Sequence, residues 1–584
     1  MNTARKLGPL SLRHAGAAAR ILTLICAGFI FPVMAQTPPD AGSIQRDFER
    51  GRTPALPPRQ PAAPVVDEAT RPALAAPDTA HFLVKGFRIS GAQAFTVAEL
   101  LPLLEEWTGK EPSLADLQRA ADKLTRYYRD HGYFVARAYL PAQDIKDGIV
   151  EIIILEGKID RISVRATNAI RLRDNVVEGM LNQAFRRDGL IWEPELERSL
   201  LLLSDLPNVE ARATLAPGSK VGTSNLTAEV SEGPLWSGNA DLDNFGNKFT
   251  GAIRYNASLN LNDATGYGDA ASLTGTGTEH SSYGRIGYRI PIGYSGFTLG
   301  AAYAESRYKL CCEFASLDSH GDAQVKTFAV TYPLVRHRDF TLRGSLSYEN
   351  RHYFNATAVA TTSDKTSDIV SLALTGDARD DWGGGGLVGF SLAFSGGRLD
   401  LDGSPADQAA DAATAQTQGH YQKLSYTLAR LQRLSESFTA YGVLSGQFAS
   451  KNLDSADKFV LGGPTGVRAY AQGEAPGDQG LLLNLELRYE WTSALKLAAF
   501  IDYGEITLHS NIWPNWDGGN AGQRNHYSLA GYGLGVRWDE PGNFFVQASL
   551  ASRIGQNPGR DSHGNDVDAA KQDPRLWLQA VKYF

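Results

Sequence analysis

The chain has 584 residues, with 57 Lys and Arg against 64 Asp and Glu, a formal net charge of -7. That length exceeds one ordinary globular domain, so several units are expected, and a mildly acidic chain without a basic run carries no nucleic-acid footprint. Three cysteines, two of them adjacent, exclude a disulfide-built scaffold.

Residues 1–35 read as an export signal. Arg5, Lys6, Arg13 and Arg20 precede an apolar stretch from Ile21 to Ile30, and Val33, Met34 and Ala35 offer a small-residue cleavage site. The apolar run is shorter than the ~20 residues a bilayer-spanning helix needs, which disfavours an anchor. Cys26 lies inside that run and is read as discarded with it. Residues 36–52 then hold a short helical segment in which Ile44 and Phe48 share one face. Residues 53–80 carry Pro54, Pro57, Pro58, Pro61, Pro64, Pro72 and Pro77, a composition that stays extended and acts as a linker.

Two similar modules of about 75 residues follow, 81–158 and 159–234, each with the order β-α-α-β-β. In the first, a strand near Phe82 to Ile89 leads to a helix over Val97 to Trp107. A longer helix is capped by Ser113, striped by Leu114, Leu117, Ala121, Leu124 and Tyr128, and ended by Gly132. In the second, a strand at Arg161 to Arg165 precedes helices near Arg171 to Phe185 and Pro194 to Leu203.

From Trp236 onward, within a unit spanning 235–584, only strands are expected. Ile253, Tyr255, Ala257, Leu259 and Leu261 alternate with Arg254, Asn256, Ser258, Asn260 and Asn262, and the pattern returns at Leu342 to Glu349 and Leu483 to Glu490. A period of two puts the sets on opposite faces. A soluble sandwich varies its outer face freely. Here the polar face keeps its charges strand after strand, the arrangement of a membrane barrel with lipid outside and water within. We count about sixteen strands, with short turns after even ones and long polar loops after odd ones. No other apolar run could span as a helix, and a closed barrel satisfies its own backbone.

Between the eleventh and twelfth strands stands the stretch Phe459 to Gly480, with Gly466, Val467, Arg468 and Tyr470 among many glycines. On the thirteenth strand, Phe500, Asp502 and Gly504 fall on the wet face. If the loop folds back into the barrel, Arg468 reaches Asp502 as a guanidinium-carboxylate fork.

At these residues the chain resembles the outer-membrane transporters of two-partner secretion (TpsB proteins, of the haemolysin secretion/activation kind), relatives of the BamA-like assembly factors. "GVRAY" is similar to their VRGY motif, with Ala469 in place of the glycine, and "FIDYG" to FxDxG. Residues 132–157 resemble the end of their first POTRA domain, 203–218 with 222–233 their second, and 40–51 their plug helix. The resemblance implies a fold of α+β periplasmic POTRA modules followed by an all-β transmembrane barrel in the bacterial outer membrane. It implies an unfolded haemagglutinin- or haemolysin-like partner protein bound by the modules and exported through the barrel, the driving force being its folding outside. Outer-membrane lipid is the other expected partner, nucleic acid is not one, and the barrel is expected to be monomeric with a dimer left open. The alternative is a BamA/TamA-like assembly factor, though such factors usually carry three or more POTRA modules.

No cofactor and no enzyme activity are expected. Gly383 to Gly386 lack the Lys and Ser/Thr of a phosphate loop, and the scattered histidines His280, His352, His420, His509 and His526 lack metal-ligand spacing. Gly531 to Val536 read as a smooth stretch of inner wall, and Cys311 and Cys312 as unpaired loop residues.

Overall fold

The computed structural model describes residues 38–50, 65–66, 81, 83–145, 147–517, 522–561 and 563–584. The export signal, with Cys26, and most of the linker lie outside the described residues.

The first module pairs Gly86–Ser90 in parallel with Ile149–Leu155, which pairs antiparallel with Arg137–Tyr139. Helix Leu114–Asp130 covers the sheet, and its start follows from chemistry: the Ser113 hydroxyl accepts from Asp116 N at 3.3 Å while the Asp116 carboxylate accepts from Ser113 N at 2.9 Å. Leu117, Ala121, Leu124 and Tyr128 are buried, but Leu114, at the first helical position, lies beyond the packed turns and is exposed. The helix expected over Val97 to Trp107 is instead one α turn, Val97–Leu100, followed by the 3-10 segment Leu101–Trp107. Pro102 lacks the amide an α-helix would use there.

The second module has strands Lys158–Ala166, Val209–Pro217 and Thr223–Glu232 under helices Asp174–Leu181 and Glu193–Ser204. Val177, Leu181, Leu196, Leu203, Leu226 and Val230 are the centre of its core. The linker is not merely a loose tether. Val65–Val66 pairs in parallel with Thr214 and Leu215, extending this module's sheet at its edge.

The rest is a closed barrel of sixteen antiparallel strands. Closure comes from Arg575–Tyr583 pairing with Trp236–Asp243, and Phe584 and Gly238 exchange backbone bonds of 2.9 and 3.1 Å at the seam. Outward residues such as Tyr255, Ile286, Phe328, Leu372 and Leu534 are exposed, as lipid-facing side chains of a lone barrel must be. Inward ones are bonded to one another: Arg254 donates to both oxygens of Asp243 at 2.8 and 2.9 Å, and Asn256 donates to Asp241 at 2.6 Å. Lys582, which interrupts the outward face of the last strand, reaches the side chain of Asn543 in the turn below. Among the described residues, no helix is long and apolar enough to cross a membrane.

The vicinal cysteines are joined to each other. Cys312 lies in the left-handed region, φ 64°, and this local reversal of the chain brings neighbouring side chains together, which corrects the unpaired reading.

The second module docks on the turns of the barrel's near end. Arg336, at the end of the sixth strand and 1% exposed, donates to both Asp205 oxygens at 2.8 Å each. Around it Arg198 donates to the Pro333 carbonyl at 2.7 Å, and the Arg173 guanidinium stacks over Tyr267 at 4.1 Å. Glycines let the surfaces close: a Cβ at Gly268 would lie 2.7 Å from the Leu206 side chain. Removing one partner of a buried ion pair typically costs about 3–5 kcal/mol. Arg336→Ala is therefore expected to free the module from the barrel. Distances between spin labels on the two parts should broaden while the barrel keeps its heat-modifiable gel mobility.

Candidate functional site: a locked and plugged lumen

The loop between the eleventh strand (Phe438–Ala449) and the twelfth (Gln479–Glu490) turns back into the barrel. Its tip is folded by its own glycines. A Cβ at Gly466 would run into the Leu461 carbonyl oxygen, and Gly463 has φ 115°. Val467 N then donates to Leu461 O at 2.8 Å, and Val467, Ala469 and Tyr470 are fully buried.

This turn presents Arg468 to the wall. Its Nε and backbone N donate to one Asp502 oxygen at 2.9 and 3.0 Å, and Nη2 donates to the other at 2.7 Å. Asp502 is wholly buried and also accepts from Asn484 Nδ2 at 2.7 Å, which in turn donates to the Gly466 carbonyl at 2.8 Å. Two features go beyond the expected fork. Arg468 Nη1 donates to Glu486 at 2.7 Å, and the guanidinium lies 3.4 Å from the Phe500 ring centroid. Trp577 on the last strand closes the set, its indole donating to the Arg468 carbonyl at 2.7 Å.

The wall motif thus has a part for each residue. Phe500 underlies the guanidinium, Asp502 pairs with it, and Gly504 leaves room for Leu461, whose Cδ2 would otherwise lie 2.6 Å from a Cβ. The glycines of Gly531 to Val536 are not simply smooth wall. A Cβ at Gly531 would meet the Ala469 Cβ at 2.7 Å, and one at Gly533 the Phe500 ring at 2.5 Å. They are the recess into which the loop tip and its aromatic support fit.

The short helix Ala41–Arg50 sits in the same lumen, against the fifth to seventh strands and the loop after the eleventh. Ala41 and Ile44 pack with Phe249, Tyr308, Phe314 and Tyr353, and Phe48 stacks on Tyr283 with centroids 5.3 Å apart. Its N-terminus is tied down by polar groups: Asp40 accepts from Ser455 Oγ at 2.6 Å and Lys365 Nζ at 3.3 Å, and Ala41 N donates to Asn355 Oδ1 at 2.7 Å. Ile44 and Phe48 are therefore brought to a different stretch of wall from Arg468. The two devices are joined at Ser455, in the same loop, whose Oγ donates to Asp40 at 2.6 Å and whose carbonyl accepts from Arg46 Nη1 at 2.7 Å, and a Cβ at Gly473 would lie 3.6 Å from the Asp47 carboxylate.

Glu474, next to Gly473, joins the loop to the one before the last strand. It accepts from Asn557 Nδ2 at 2.9 Å and Val567 N at 2.8 Å, and Asn557 also donates to Asp566 at 3.0 Å. Burial, then the nearby charges of Asp566 and Asp568, push its carboxyl up to about 7 from an ordinary 4.5. Arg553 and Asp566 pair beside it, and Tyr470 and Tyr527 face it. Because the docked state holds the proton more tightly, this contact is fully present below pH 4.5 and is lost as pH rises through about 7, a span worth roughly 3 kcal/mol. Raising pH from 5 to 8 should lower the protection factor of the Val567 amide, that is, raise its exchange beyond the intrinsic base-catalysed increase, and Glu474→Gln should flatten that change in protection.

Among the described residues, no His, Cys, Asp and Glu group is arranged to hold a metal ion.

Residues 222–538 match the family model described as haemolysin secretion/activation protein ShlB/FhaC/HecB, and residues 82–157 match the POTRA domain of ShlB type. The chain belongs to this family. The heme/hemopexin transporter protein HuxB of Haemophilus influenzae (strain 86-028NP) is 30% identical over 97% of this chain and 98% of that one. The outer membrane transporter CdiB of Dickeya dadantii (strain 3937) is 26% identical over 68% of this chain and 71% of that one. The solved structure of CdiB from Escherichia coli superposes with a TM-score of 0.69 at 18% identity, covering 99% of this chain and 100% of that one, and so shares the fold. The family member described here is a two-partner secretion transporter of the outer membrane, with its POTRA modules in the periplasm.

Asn484, Glu486, Trp577 and the Asp40 anchor escape motif reading. Asn484 and Glu486 carried a signal nonetheless, since they alternate onto the wet face of the strand that pairs with Phe500 and Asp502. Trp577 and Lys365 are far apart in sequence from what they touch and gave none.

Proposed function

We propose that this transporter exports one large haemagglutinin- or haemolysin-like partner as an unfolded chain through the barrel lumen, and that it acts as a gated conduit without catalysis. The observation that carries the reading is the lumen itself: a water-facing wall, too wide to leave open, is occupied by a tethered helix and a loop, both held by polar contacts that can break and re-form. An extended partner can be taken up as an added strand at the sheet edges of the POTRA modules, and Val65–Val66 already uses one such edge. Arg468 with Asp502, and Ile44 with Phe48, would hold the closed state until a partner arrives.

Deleting the gene is expected to leave the partner in the periplasm while other outer-membrane barrels assemble at normal levels. Normal release of the partner together with a general loss of barrels would favour an assembly factor instead.

A further inference from the structure

Between the second module and the barrel wall lies a cavity of about 610 Å³, bounded by Asp205 to Asn208 on one side and the inner faces of the second to sixth strands on the other. Arg285 and Arg289, on the fourth strand (Ser281–Pro291), both line it. With Gly287 between them they share one face, roughly 14 Å apart along the strand.

Their surroundings are unusual for this lumen. Other cations of the lumen have carboxylate partners: on the wall Arg254 with Asp243 at 2.8 Å, Lys365 with Asp454 at 2.6 Å and Lys423 with Asp457 at 2.6 Å, and on the loop Arg468 with Asp502 at 2.7 Å. The side chains of Arg285 and Arg289 carry no hydrogen bond or ion pair among the described residues. In register beside them are Ala304 and Gly300 on the fifth strand, and Thr274 and Ala270 on the third. Asp205 acts on Arg289 through space, and Arg285 acts on Glu49 of the plug helix more weakly than Arg351 does, with no ion pair at either guanidinium. Asp205 is already shared, bonded by Arg336 on both oxygens and 3.7 Å from Arg343.

Two unpaired guanidiniums set among small side chains, in a confined mouth, concentrate positive potential where a chain would pass from the modules to the lumen. We propose that Arg285 and Arg289 form a vestibule subsite that captures carboxylate side chains of the extended polypeptide being exported, ahead of the plug. The proposal rests on the export reading above. Glu49 holds a provisional place in that field, and an incoming acidic segment takes it over as the helix leaves.

The test uses the full-length protein in nanodiscs and labelled, unfolded peptides of equal length rich in Glu, in Ser and Gly, or in Lys, with binding read by fluorescence anisotropy at two salt concentrations. The wild type should bind the Glu-rich peptide best, and more weakly at high salt. The double variant Arg285→Gln with Arg289→Gln should lose about tenfold in affinity for that peptide, as two exposed ion pairs allow, and most of its salt dependence. Arg285→Lys with Arg289→Lys should stay within a few-fold of wild type. Heat-modifiable mobility checks that each variant is folded. Unchanged Glu-peptide affinity in the Gln variant, or equal binding of all three peptides by the wild type, overturns the subsite. Partner release measured in the same strains separates the two claims: release that does not depend on the wild-type gene overturns the export reading instead.

Discussion

Arg468→Ala is expected to release the loop from the barrel wall and to abolish secretion of the partner. The substitution leaves Asp502 buried with Asn484 as its remaining side-chain donor, leaves Glu486 with Arg488 alone, and strips the cation from Phe500. Truncating one member of such a pair costs about 3–5 kcal/mol, which raises the undocked fraction by roughly a hundred- to several-thousandfold. Arg468→Lys keeps the charge but loses the fork, so an intermediate defect should follow. Exchanging Arg468 and Asp502 tests the pair directly. The partial rescue expected of a simple ion pair should be weak, because a carboxylate at position 468 would face Glu486, and it should improve when Glu486→Gln is added. No rescue in either background would mean that the loop is held by its apolar tip alone. Loop position can be read from spin-label distances, independently of secretion.

Removing residues 36–52 is expected to raise the mean conductance of the purified channel severalfold and to lengthen its open periods, because a helix about 10 Å across leaves a lumen that water fills. A milder change makes the same point without deleting anything. A Cβ at Gly42 would lie 2.8 Å from Ser455 Oγ and 3.0 Å from the Ala456 Cβ, so Gly42→Val should lift the helix N-terminus off its seat. Asp40 would lose its bonds to Lys365 and Ser455 in the process. The variant's conductance should fall between wild type and the deletion. Equal conductance in all three would show that the helix does not obstruct the path.

Much of this was legible in the residues because strand periodicity is strict. The alternation at Ile253 to Asn262 and the count of sixteen strands survive intact, since a one-residue slip would turn every polar side chain toward lipid. The pairing of Arg468 with Asp502 was legible for a related reason: a charge amid glycines in a long loop needs a buried partner, and the wet face of the thirteenth strand supplied one carboxylate. What failed was what depends on distant packing. Pro102 turned an expected helix into a 3-10 segment, and Leu114 fell outside the stripe that periodicity gave it. The glycines at Gly531 and Gly533 take their meaning from Ala469 and Phe500, which no local pattern connects to them. Ser455, bonded to Asp40, likewise joins two devices, loop and plug, that sequence separates by hundreds of residues.

The most direct measurement is crosslinking of a stalled partner. With the partner's far end fused to a fast-folding domain so that export halts midway, single cysteines or photoreactive residues at Ser258, Ser371 or Ser425 should each trap the partner chain, because these positions face the lumen. Leu259 and Leu372, one step along the same strands, and Leu428, three steps from Ser425 and so also on the outer face, should trap lipid or nothing. Partner adducts at the leucine positions, or none at the serines while export is stalled, would contradict the conduit.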